Sequence, residues 1–122
     1  MSLEVITLDD SILESIKKLL GLPEDYTAFD QDIIIHINTY LGVLNQMGVG
    51  KSGFFIEDDD ATWEDFLDQH SASLHEVKTY VYLRVKMVFD PPSSSLVSEA
   101  MSNNINELGW RLNVKVDPED FT

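Results

Sequence analysis

The string Gly48-Val49-Gly50-Lys51-Ser52 ends in the Gly-Lys-Ser of a phosphate-binding loop. Such a loop cradles phosphate oxygens with backbone N–H groups and sets its lysine on the terminal phosphates. It requires another glycine five residues before the Gly of Gly-Lys-Ser, and that position is Asn45. It also requires a strand before it and a helix after it, so that amides at the helix start face the anion. Here a helical pattern precedes and an aromatic loop follows, so the string reads as a turn that ends a helix. The run Glu57-Asp58-Asp59-Asp60 is the next candidate, as a calcium loop. Started at Asp58, the loop would offer Asp58, Asp60 and Thr62. The sixth position, which should be glycine, is Trp63, and the twelfth, which should be glutamate, is Gln69. The run reads instead as a solvated acidic loop leading into a helix N-terminus, where acids are favoured.

Three histidines, His36, His70 and His75, complete the candidate ligands. His70 and His75 are five apart, which does not place them on one helix face as paired ligands. His36 lies in an isoleucine-rich helical stretch, where a packed histidine is the plainer reading. Ser93 to Ser95 supply hydroxyls, with no neighbouring histidine or acid to activate one. No catalytic residue, cofactor or metal site is expected, and the chain is not read as an enzyme.

The elements that would position these groups are largely helical. Ile12, Ile16, Leu19 and Leu20 predict a helix from about Asp10 to Leu20, with Lys17 and Lys18 in its last turn and Gly21 and Pro23 as stops. Ile34, Ile37, Leu41 and Leu44 predict a second, from about Asp30 to Met47, ended by Gly48. Ile33, Tyr40, Val43 and Met47 widen its apolar surface, which marks a central helix. A loop from Gly48 to Asp60 carries Phe54, Phe55 and Ile56. Thr62 and Asp65 then make a capping arrangement for a short helix from Trp63 to about Gln69.

Leu74 to Phe89 reads two ways. Leu74, Val77, Val81, Val85 and Val88 share a helix face, yet Val81, Leu83, Val85, Met87 and Phe89 also alternate as in a strand. Asp90-Pro91-Pro92 breaks the chain. Ser95 is expected to cap a last helix reaching about Leu112, with Val97, Met101, Ile105, Leu108 and Leu112 on its face. Gly109 costs that helix about 1 kcal/mol relative to Ala, so its last turn is expected to fray. Asn113 to Thr122 reads as an extended tail, with Leu112, Val114 and Val116 in strand-like alternation.

The 122 residues suit one domain, and 43% hydrophobic residues suffice for one core. Twenty-two acids against eight Lys plus Arg give a net charge of −14. That balance disfavours a phosphate backbone and an anionic membrane alike. There is no cysteine, which excludes disulfides and thiolate metal sites. No apolar run approaches the roughly 20 residues of a membrane span, and no signal pattern opens the chain.

Surface chemistry is then the remaining source of function. Trp63, Phe66, Trp110 and Phe121 are either core residues or contact anchors. Lys78, Arg84 and Lys86 cluster on one element, and Glu57 to Asp68 is strongly acidic. Opposed charged faces suit head-to-tail association; charges satisfied within one molecule are the alternative. The candidate subunit-interface residues are Trp63, Phe66, Lys78, Arg84, Lys86 and Trp110.

Five strings in order carry a resemblance. They are Ile16-Lys17-Lys18-Leu19-Leu20-Gly21; DIIIHINTYLGVLNQMGVG from Asp32 to Gly50; Ala61-Thr62-Trp63-Glu64-Asp65-Phe66; VKTYVYLRVKMVFDPPSSS from Val77 to Ser95; and NELGWRLNV from Asn106 to Val114. Together they resemble the small head-tail connector (adaptor) proteins of tailed phages and prophages, over roughly Leu13 to Asp117. The resemblance implies an all-helical fold, which tips Tyr80 to Phe89 to helix. The expectation is therefore an all-α, compact bundle of about five helices over residues 1–122, with a long aromatic and acidic loop and an extended C-terminal tail. The resemblance further implies a ring beneath the portal protein that extends the DNA channel, with neighbouring connector subunits and a tail-completion protein as partners. DNA would pass through without specific binding. Location would be the virion, and the host bacterial cytoplasm during assembly. No catalysis and no cofactor are implied. Another small tail-completion or assembly protein, or an acidic DNA mimic that inhibits an enzyme, are the alternatives.

Overall fold

The computed structural model describes residues 8–68 and 73–116, with only the backbone of 115 and 116. Helix α1 spans Ile12–Leu19. The Ser11 hydroxyl caps it by accepting the Glu14 N–H (3.2 Å), and Gly21, at φ +84°, turns the chain out of it. Its buried face holds Ile12, Leu13 and Ile16, and also Lys17. The Lys17 ammonium donates to the Glu24 carbonyl (3.0 Å) and pairs with Asp30 (3.0 Å), with Glu14 at 3.9 Å. A residue expected to serve only the helix dipole thus ties α1 to its connection and to the first turn of the next helix.

Helix α2 spans Asp30–Gln46 and buries Ile33, Ile34, Ile37, Leu41 and Leu44, with Tyr40, Val43 and Met47 partly buried. It packs on α1 and on the later helix α4 (Leu74–Phe89), as its broad apolar surface requires. The loop beyond it is pinned at two places. Phe54 lies against Phe66 (ring centroids 5.4 Å apart), and Ile56 is buried in the core. Helix α3, Trp63–Leu67, begins with the expected capping box, in which Thr62 and Asp65 satisfy each other's backbone N–H groups. Backbone hydrogen bonds from Ile12 to Ala61 (3.0 Å) and from Trp63 to Asp10 (3.2 Å) stitch this turn to the start of α1.

Helix α4, Leu74–Phe89, is helical throughout, which settles the segment that local pattern left open. Leu74, Val77, Tyr80, Val81 and Val85 are buried, in a helix that packs on α2 and on the last helix, α5 (Ser95–Val116). Val88, expected on the same face, is about half exposed. The last turn instead packs Phe89, edge-on to Phe29 with centroids 5.4 Å apart. That contact sets the start of α2 beside the end of α4, so the two helices run antiparallel.

Helix α5 spans Ser95–Val116. Its cap is Ser94, whose hydroxyl accepts the Val97 N–H (3.3 Å), rather than Ser95. The expected extension and strand-like alternation from Leu112 to Val116 are overturned, because these residues continue the helix. Ile105 and Leu112 are buried and Leu108 packs against the core, while a Cβ at Gly109 would lie 3.6 Å from the Tyr80 ring. Burial of that face outweighs the glycine's cost of about 1 kcal/mol. The remainder of the expected tail, 117–122 with Phe121, lies outside the described residues. Among the described residues there are five helices and no strand, only an isolated bridge between Ser11 and Thr62. None of those helices is long and apolar enough to cross a membrane.

Candidate functional site

The turn that mimics a phosphate loop spends its amides on the protein. The N–H groups of Gly48 and Val49 donate to the carbonyls of Asn45 and Leu44 (both 2.9 Å), and that of Lys51 donates to Phe66 (2.8 Å). Asn45 closes the turn further, donating to the Val49 carbonyl (2.8 Å) and accepting from the Gly53 N–H (3.2 Å). The residue that breaks the phosphate-loop pattern is therefore what holds this turn together. An open cleft of about 850 Å³ lies beside the turn, lined by Lys51 but also by Glu64, Asp65 and Asp68. Three carboxylates make it a poor receptor for an anion.

The acidic run forms an exposed turn. Carboxylate oxygens of Asp58, Asp59 and Asp60 lie within 4.8 Å of one another, and Asp58 accepts the N–H of Asp60 (2.9 Å). One acid at least serves its own backbone, as Asx turns do. His36 is half-buried, His75 is exposed, and His70 lies outside the described residues. Neither described imidazole is hydrogen-bonded to a hydroxyl or a carboxylate.

The six expected interface residues separate into two groups. Trp63 and Phe66 are 0% exposed, and their expected place on the surface is corrected: both are core residues. The Trp63 indole donates to Ser15 (3.2 Å), and Phe66 fills the space over Gly50. A side chain enclosed on all sides offers a partner nothing. Lys78 is also buried, and burial lowers its pKa against the opposing pull of Asp10. The expected basic face of Lys78, Arg84 and Lys86 is thereby dissolved, since Lys86 pairs with Asp90 (3.0 Å) on another side of α4.

Arg84 and Trp110 remain accessible. The Arg84 guanidinium lies 5.2 Å from the Tyr40 ring centroid and 5.3 Å from that of Tyr80. Its Nε and Nη2 both donate to the Tyr80 hydroxyl, at 3.1 and 3.0 Å. Two tyrosines from two helices thus hold it in place. Among the described residues, no carboxylate lies within ion-pair distance of it. Trp110 is 67% exposed, next to the glycine that meets Tyr80. Arg111 beside it makes an exposed pair with Glu107.

A second surface was not anticipated. Tyr26 and Phe29 are 43% and 40% exposed and meet edge-on (5.8 Å) at the end of the bundle where Phe89 lies. Glu24, Asp25 and Asp32 lie close to them in sequence, all exposed and without an ion-pair partner among the described residues. Aromatics in a short polar linker after Pro23 were the signal, because a connection too brief to bury its own side chains leaves them outside.

The sequence model of a family described as phage connector protein matches residues 12–119. No curated protein and no solved structure gives a significant match.

Proposed function

The chain belongs to the phage connector protein family, and we propose that it acts as a head-tail connector (adaptor). In this reading, copies form a ring beneath the portal and extend the channel through which DNA passes. A tail-completion protein meets its far side. The chain works by surface contact, with no cofactor and no bond-making step.

One observation carries this reading. The core is closed and its own large side chains are inside, yet Trp110, Tyr26 and Phe29 stand exposed, two of them in an acidic stretch of sequence. Exposed aromatics in such settings are the usual anchors of protein contacts. The charge of −14 fits a channel component, since an acidic wall repels the DNA backbone and lets it slide.

The test is co-purification with a phage portal protein, followed by electron microscopy of the complex. A ring on the tail-facing side of the portal is expected. Density elsewhere in the tail would assign it to tail completion instead. Capture of a basic DNA-binding enzyme with no particle association would favour the DNA mimic.

A further inference from the structure

We infer that the Tyr26–Phe29 end of one copy seats against the Arg84–Trp110 flank of a second copy, as the repeating contact between neighbouring subunits. The inference rests on the connector reading above.

Each surface lacks what the other offers. Tyr26 and Phe29 give an apolar centre flanked by Asp25 and Asp32, which have no cation among the described residues. Arg84 is a cation held rigidly on two tyrosines, with no carboxylate among the described residues and with N–H groups beyond those given to Tyr80. Arginine in such a fixed orientation matches a carboxylate in geometry as well as charge. Trp110, which follows the glycine that meets the same Tyr80 ring, supplies a large exposed aromatic on the neighbouring helix.

Charge also selects against the alternative. In a chain of net charge −14, two acidic ends brought face to face would repel within the roughly 8 Å over which charges act at physiological salt. A like-to-like contact at this end is therefore disfavoured, and contact with a different surface is favoured.

The two surfaces do not meet within one molecule. Phe29 packs at the last turn of α4, on Phe89. Arg84, held on Tyr40 and Tyr80, stands five positions earlier in the same helix, about 7.5 Å back along it, and among the described residues no hydrogen bond, ion pair or ring contact joins it to Tyr26 or Phe29. A contact between two different patches is heterologous, and it closes into a ring when the rotation it imposes divides a full turn.

The absence of native cysteine makes the test direct. Three variants are assembled into particles in place of the natural chain: Tyr26→Cys, Trp110→Cys, and the two together. The particles are then treated with a short bis-maleimide. The double variant should cross-link into a ladder extending beyond the dimer, and each single variant should remain monomeric. Dimers from a single variant would show a like-to-like contact and overturn the pairing. A double variant present in particles but yielding no ladder would overturn it too, leaving the connector reading intact. Absence of the unaltered chain from particles would remove the connector reading and this contact with it.

Discussion

The carboxamide of Asn38, in the middle of α2, satisfies both backbone groups of Ile56, donating to its carbonyl (2.9 Å) and accepting its N–H (2.8 Å). The pair fixes the long loop at the point where Ile56 enters the core. A strand neighbour would normally fill this role, and here one side chain does.

Asn38→Ala should therefore destabilise the fold by about 2–3 kcal/mol, since it leaves two partly buried backbone groups unsatisfied. Asn38→Asp keeps the acceptor but loses the donor and should fall between the two. Urea midpoints of the three proteins give the order, and an alanine variant as stable as the parent would contradict this role.

Gly50 and Gly42 should respond to alanine with opposite signs. Gly50 has φ +83°, and a Cβ there would overlap the Phe66 ring, with atoms as close as 2.2 Å. Gly50→Ala should cost about 2–4 kcal/mol by strain and displacement of that ring. Gly42 lies within α2 with open space around it, so Gly42→Ala should gain about 0.5–1 kcal/mol. Thermal unfolding of both variants decides the matter.

Glu14 should make stability fall with pH in the acid range. Its pKa stands above the ordinary 4.5, first because burial disfavours the charged form, with Lys17 opposing and the acids Glu24, Asp59 and Asp30 adding to the rise. Below 4.5 the carboxyl is protonated in both folded and unfolded chains. As pH rises through the higher folded value, the unfolded chain has already ionised and is favoured. Glu14→Gln removes this loss and should be the more stable protein at neutral pH, with the gap closing below pH 4.5. A gap independent of pH would rule out this linkage.

Trp110→Ala should leave stability within about 0.5 kcal/mol of the parent, because the side chain is 67% exposed. It should nevertheless reduce incorporation into particles, measured by immunoblot of purified virions. Loss of stability with normal incorporation would mark Trp110 as a packing residue.

Features governed by one or two turns of chain were legible in the sequence. The extent of α1 and α2, the capping box at Thr62, the glycine stops and the misfit of Gly48 to Ser52 to a phosphate loop all follow from residues within reach of one another along the backbone. Which side chains face outward was decided by partners distant in sequence. Trp63 is inside because Ser15 and α1 cover it, and Lys17 is inside because Glu24 and Asp30 receive its charge. Tyr26 and Phe29 are outside because the end of α4 offers Phe89 to only one side of them. Composition sets how much apolar surface must be buried, but tertiary contact chooses which residues are left over, and for a protein that acts by its surface those residues are the functional ones.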